Sequence, residues 1–129
     1  VIEHLTRDQL SKLMKLAREK VVKGGKIVFE TINSESIVAL TQHYFRDPTH
    51  VWPLHPETTR FLMELSGIKV NEVRKISPFP PEASFKPVPV EEYMTPRWAY
   101  AVKTLNENFE KLNRLLFDCQ DYCIIGEVE

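Results

Sequence analysis

The sequence predicts an α/β fold, and three features carry that prediction. Apolar stripes at three- and four-residue steps mark amphipathic helices, short β-favouring apolar runs mark strands, and the two kinds interleave along the chain. The expected order is helix, strand, helix, helix, strand, long loop, helix, strand. At 129 residues the chain fits a single domain.

Thr6 and Gln9 have capping-box spacing. Behind them Leu10, Leu13, Met14, Ala17 and Val21 form one stripe, which predicts a helix over about residues 7–22. Gly24-Gly25 ends it, because glycine takes the left-handed cap conformation cheaply. Lys26–Thr31 reads KIVFET, a compact run suited to a strand buried on both faces. Ile37, Leu40 and Tyr44 predict a short helix over 34–44. Pro48 and Pro53 break the next stretch, and Pro56 suits the first turn of a third helix. Phe61, Leu62 and Leu65 are its expected buried face, and Gly67 its end.

Ile68–Ile76 alternates as a strand with one wet side. Six of the nine prolines fall between Pro78 and Pro96, so residues 77–95 are expected to be an extended loop. After Thr95-Pro96, the residues Trp98, Val102, Leu105, Phe109, Leu112 and Leu116 step by 4, 3, 4, 3 and 4, a heptad seam. Asp121–Val128 closes the chain as a last strand. Three strands are few for a layered α/β fold. Another chain completes the sheet, or these residues are half of a larger domain.

Composition removes several function classes. A formal charge of −1 gives no basic footprint, so no nucleic-acid partner is expected. No apolar run is long enough for a membrane span. The four glycines, Gly24, Gly25, Gly67 and Gly126, form no phosphate- or dinucleotide-cradling loop. The chain opens at Val1 without a methionine, which suggests a processed or truncated polypeptide, and no charged-then-apolar leader marks it for secretion. Cys119 and Cys123 read as reduced thiols, so a cytoplasmic location is expected.

Certain segments are more particular. Val1-Ile2-Glu3-His4-Leu5 and Lys23–Thr31 resemble the middle of a class I S-adenosylmethionine-dependent methyltransferase, where a VIEHL-type segment ends the fourth strand and a GG turn opens the fifth. His43–Glu57, with its core Asp47-Pro48-Thr49-His50, is similar to bacterial methyltransferases associated with cell-surface polysaccharide synthesis. Leu112–Tyr122 resembles their LNxLLFGPQDY ending, with Asp118-Cys119 in place of Gly-Pro.

The resemblance implies a partial Rossmann-like fold: a three-stranded mixed sheet equivalent to strands five, seven and six, the last strand inserted antiparallel between the other two. It makes residues 1–129 the C-terminal part of a methyltransferase domain, with the loop and heptad helix of 77–116 as an insertion. The family's glycine-rich loop and ribose-binding acid would lie upstream of Val1. S-adenosylmethionine is therefore the implied cofactor, and this chain alone is not expected to bind it or to be active.

Glu3 and His4 are assigned to the cofactor on this resemblance, since ligands in open α/β sheets sit at the carboxyl ends of strands. The plainer role for Glu3 is to favour a helix dipole. A divalent metal on this pair needs more oxygen or nitrogen donors, and the upstream carboxylate the resemblance implies is missing. A metal cluster of His43, Asp47, His50 and His55 is conceivable but has two intervening prolines and no regular pitch, so no metal site is assigned. Glu30 and Asn33 follow a buried run and are expected at the acceptor, with helix capping as the alternative. His43, Tyr44 and Trp52 are placed there too, Trp52 as a sugar platform or a buried plug. His50, oriented by Asp47, is the expected catalytic base, since an imidazole suits proton removal near neutrality. Backbone bonding is its alternative role. Arg46, Arg60 and Arg97 could bind a phosphate in the acceptor, but scattered arginines read more simply as solvated charge.

The function that follows is methyl transfer from S-adenosylmethionine to a small acceptor such as a sugar hydroxyl. The alternative is a non-enzymatic module that assembles through its heptad helix and open strand edge. A homo-oligomer formed through residues 98–116 or that edge is the expected partner state.

Overall fold

The structure, a computed structural model, describes residues 1–129. A short 3₁₀ turn, Ile2–His4, leads into α1, Arg7–Lys20. Both halves of the capping box form: the Gln9 amide donates to Thr6 Oγ1 (3.3 Å) and the Thr6 amide to Gln9 Oε1 (2.9 Å). The helix leaves at Val21, and Gly24 turns the chain at φ +79°. Then follow β1 (Lys26–Ile32), a π-helical turn (Ala39–Tyr44), α2 (Pro56–Leu65), β2 (Lys69–Ile76), α3 (Pro96–Leu116) and β3 (Asp121–Glu127).

The sheet order is β1-β3-β2, with β3 antiparallel to both neighbours. The inserted last strand is therefore as expected. No parallel pair exists within these residues, so the sheet is antiparallel rather than mixed. Tyr122, Cys123 and Ile124 are buried in succession because β3 is central. KIVFET is not the doubly buried strand: Ile27 and Thr31 are covered, but Val28 is 56% exposed. As an edge strand, β1 has one face on the core and the other open.

Leu10 and Met14 from α1, Met63 from α2, and Ile27, Tyr122 and Ile124 from the sheet form the core on one face. A bulge between Val70 and Glu72 resets the alternation of β2, so that Val70 and Val73 both pack against this core. Gly126 lies where a Cβ would come within 2.5 Å of Ile68 and 2.7 Å of Met63. Only a residue without a side chain lets α2 and β2 close over β3 there.

The α2 face differs from expectation. Thr59 and Met63 are buried, whereas Phe61 and Leu65 are 61% and 71% exposed. Hydrogen bonding sets this rotation: the Thr59 hydroxyl meets Tyr122 Oη at 2.6 Å, and Tyr122 Oη donates to the Leu54 carbonyl at 3.0 Å. Residues 34–44 also depart from a plain helix. Their last turn is π-helical and closes with the Phe45 amide donating to the Leu40 carbonyl.

Ser77, at φ +58°, takes the chain off the sheet into the proline-rich segment, which is irregular apart from a 3₁₀ turn at Pro81–Ala83. This segment straps α3. Asn113 brackets Phe85, accepting from its amide (2.8 Å) and donating to its carbonyl (2.9 Å), and Asn106 brackets Val88 in the same way (2.8 Å each). α3 is about 30 Å long and packs on its own strap rather than on the sheet. Of its heptad seam only Val102 is buried, while Trp98 is 65% exposed.

Candidate active site

The carboxyl ends of β1 and β2 and the start of β3 meet at one rim, since Ile32 and Ile76 both pair with Asp121. Beside it lies an open cavity of about 570 Å³, walled by Ile32, His43, Arg46, Asp47, His50 and Asp121. The carboxyl ends of sheet strands are where α/β folds place ligands.

Two histidines converge next to this cavity. The ring centroids of His4 and His50 are 4.7 Å apart, and His50 stacks on Tyr44 at 4.5 Å. His50 Nδ1 lies 2.6 Å from the Tyr44 carbonyl, which can only accept, so Nδ1 donates and Nε2 is left without a hydrogen-bond partner. The same logic fixes His4. The Thr49 hydroxyl gives its one proton to Asp47 Oδ1 (2.7 Å), so His4 Nδ1 donates to Thr49 Oγ1 (2.9 Å) and leaves its own Nε2 bare. Sequence places the residues of the DPTH turn together; the turn itself is closed by Asp47 Oδ1 accepting from the Thr49 amide at 2.9 Å.

Asp47 does not orient His50 through Nδ1, because the Tyr44 carbonyl has that place. Its Oδ2 lies 3.6 Å from His50 Nε2 instead. Hydrogen bonds from the Thr49 side chain and amide hold the Asp47 carboxyl below its ordinary pKa. Glu3 is half-buried. Its Oε2 accepts a hydrogen bond from the Thr31 hydroxyl at 3.2 Å. Its other oxygen, Oε1, faces His4 Nε2 at 3.7 Å. Burial, with the Glu3 charge nearby, raises the Tyr44 phenol. Tyr44 Oη is buried without a hydrogen-bond partner.

The remaining expected residues divide. His43 lines the cavity and packs beside Phe79. Glu30 is exposed on the open face of β1, away from the buried Thr31 that touches Glu3. Asn33 is fully buried: its Nδ2 donates to the Cys119 carbonyl (2.8 Å) and its Oδ1 accepts from the Glu35 amide (3.1 Å). It ties β1 to the turn before β3 and does not reach the cavity. Trp52 packs against the core with the Arg7 guanidinium 5.0 Å over its ring, in a separate depression, so it is a plug here and no wall of the His50 cavity.

Thr49 and Asp121 are the residues that sequence reasoning passed over, and Arg46, read there as solvated charge, is a cavity wall. Thr49 lies inside the motif that was singled out, and Asp121 inside QDY; motif membership was the available signal. Arg46 carried none, since nothing in a lone arginine distinguishes a cavity wall from solvent.

An α/β sheet with an antiparallel last strand between two others, and a polar cavity at its carboxyl rim, defines a methyltransferase-type fold. The chain is similar to the crystal structure of a SAM dependent methyltransferase from Archaeoglobus fulgidus, with a TM-score of 0.85 and 32% sequence identity. The match covers 98% of this chain and 55% of that one, so the chain spans about half the length of the protein it resembles. No protein-family model and no curated protein matches the sequence. No helix is long and apolar enough to cross a membrane.

Proposed function

We propose that these residues form the acceptor side of a methyltransferase that uses S-adenosylmethionine to methylate a small acceptor, a sugar hydroxyl being the class favoured by the DPTH resemblance. The observation that carries it is the rim cavity with the bare Nε2 atoms of His4 and His50 beside it, on a fold shared at 32% identity with a SAM dependent methyltransferase.

The residues of this chain do not suffice to hold that cofactor. Gly24 and Gly67 turn helix ends at positive φ, Gly25 follows the first of these, and Gly126 is packed inside β3, so none is free to cradle an adenosyl group. Residues outside the chain would supply that cradle. When bound, the cofactor offers an electrophilic methyl group on a sulfonium. The contribution of this chain is to orient the acceptor hydroxyl in line and to take its proton. His50 Nε2 is the acceptor for that proton, held in place by the Nδ1–H bond to Tyr44. Arg46 and His43 would bind the rest of the acceptor.

The test is methyl transfer from labelled S-adenosylmethionine to a panel of sugars by a longer polypeptide that carries the cofactor half. His50→Ala is expected to lower turnover by about 10²-fold or more. Turnover equal to that of the unaltered protein would sink the assignment. Calorimetry on the 129-residue chain alone is expected to show no tight binding of S-adenosylmethionine.

Self-association is a second property, supported by the unpacked seam of α3. Trp98, Leu105 and Leu112 are all exposed along it, and a heptad seam is the surface by which two helices pair. A second copy of the chain is the proposed occupant.

A further inference from the structure

Glu3, His4 and His50 each present one ligand-capable atom, and these atoms lie within 4.8 Å of one another. The third member is far from the first two in sequence and is brought to them by the Val51 amide donating to the Glu3 carbonyl (2.8 Å) and by the His4–Thr49 bond, which pin the DPTH turn onto the 3₁₀ turn. We propose that this cluster binds a divalent first-row transition-metal ion, with zinc as the type.

The donors are already prepared for it. A histidine that binds a metal through one ring nitrogen characteristically donates the other N–H to a carbonyl, carboxylate or similar partner, which fixes tautomer and ring direction. His50 does this to the Tyr44 carbonyl and His4 to Thr49, which is itself anchored on Asp47. Both Nε2 atoms are therefore left without a hydrogen-bond partner. Glu3 adds a carboxylate oxygen 3.7 Å from His4 Nε2. Bonds of about 2.0–2.2 Å to nitrogen and oxygen put neighbouring ligands of a tetrahedral ion about 3.4 Å apart. The three atoms, spread over as much as 4.8 Å, draw together by about 1 Å when an ion binds. Two imidazoles and one carboxylate suit zinc, iron or cobalt; magnesium and calcium prefer oxygen ligands throughout. Three protein ligands leave a position open, as catalytic rather than structural sites do.

Binding of the ion does not depend on the reaction; only a role for its open position toward the acceptor hydroxyl rests on the methyl-transfer reading. A bound ion takes the His50 Nε2 lone pair, so proton acceptor and ligand are exclusive roles for that atom.

The 129-residue chain, stripped with a chelator, would be titrated with Zn²⁺ by calorimetry and with Co²⁺ by visible absorption. One ion per chain, with the d–d bands of a nitrogen- and oxygen-ligated cobalt, is expected. His4→Ala and Glu3→Gln should each weaken binding by more than about tenfold, with the fold verified by circular dichroism. These two are more exposed than His50, whose alanine variant risks unfolding. His55→Asn keeps a capping side chain at α2 while removing a histidine outside the cluster, and it should bind as the parent does. Absence of binding overturns the proposal, as does equal binding by His4→Ala, or a loss in His55→Asn matching that in His4→Ala. Methyl transfer is read separately: activity that survives the chelator while the titration succeeds keeps the metal site but assigns the proton to His50 in the metal-free protein.

Discussion

The sheet with its two covering helices and the α3 arm are built from similar residues yet held together differently. Leu10, Met14, Met63, Ile68, Tyr122 and Ile124 are sealed inside the first. The second has a longer and more regular apolar stripe but buries only Val102 along it. Periodicity thus states that a helix has an apolar face; it does not state what covers that face. In the arm the cover is a proline-rich strap held by two asparagines spaced one heptad apart, and the strap leaves part of the seam free. The regions are joined by aromatic packing that runs from His43 to Phe79, Phe117, Phe85 and Phe109, so the arm is seated beside the cavity wall.

Breaking the core should have the largest consequence. Leu10→Ala removes a fully buried side chain of the common core, and a loss of about 2–5 kcal/mol in denaturant unfolding is expected. A loss under about 1 kcal/mol would mean that the core is as loosely held as the arm.

Tyr122→Phe should cost less, about 1–3 kcal/mol, by leaving the Leu54 carbonyl and the Thr59 hydroxyl without their buried partner. The same tyrosine provides a pH probe. Burial raises its pKa to about 12, aided by the charges of Glu3 and Glu35 and opposed by the Thr59 hydrogen bond. The folded state therefore favours the neutral phenol. Its contribution is complete below pH 10, the ordinary value, and declines as pH rises toward 12. Phenolate absorbance followed together with circular dichroism should show Tyr122 ionising with the loss of structure, and Tyr122→Phe should flatten the stability decline in that window.

Leu105→Ser and Leu112→Ser sharpen the comparison from its weak end. Both positions are exposed in the isolated chain, so unfolding at low concentration should shift by no more than about 0.5 kcal/mol. Light scattering at rising concentration should show association by the parent chain and its loss in these variants. A parent that stays monomeric would remove the seam as an interface.

Much of the architecture was legible because it depends on local chemistry. The Thr6–Gln9 box, the Gly24 turn, Pro56 and Thr95-Pro96 act within a few residues, and each does in the structure what it promised. The failures share a cause. Val28 looked buried and Phe61 looked like core because apolar character does not reveal which side another element will cover. Asn33 and Trp52 looked functional because a polar or aromatic group near a motif cannot show whether its bonds are already used. Asp47 and His50 were rightly paired as neighbours, but their hydrogen-bond partners reversed the expected geometry.

By itself, then, the sequence determined the order of helices and strands, their ends, and the identity of the DPTH and Glu3-His4 segments. Those features follow from backbone preference and side-chain chemistry over short spans. Tertiary structure alone decided that β3 lies in the middle, that α3 stands off the sheet, and that His50 meets Glu3 and His4. Such meetings depend on the closing of loops and the packing of distant residues, which no local pattern encodes.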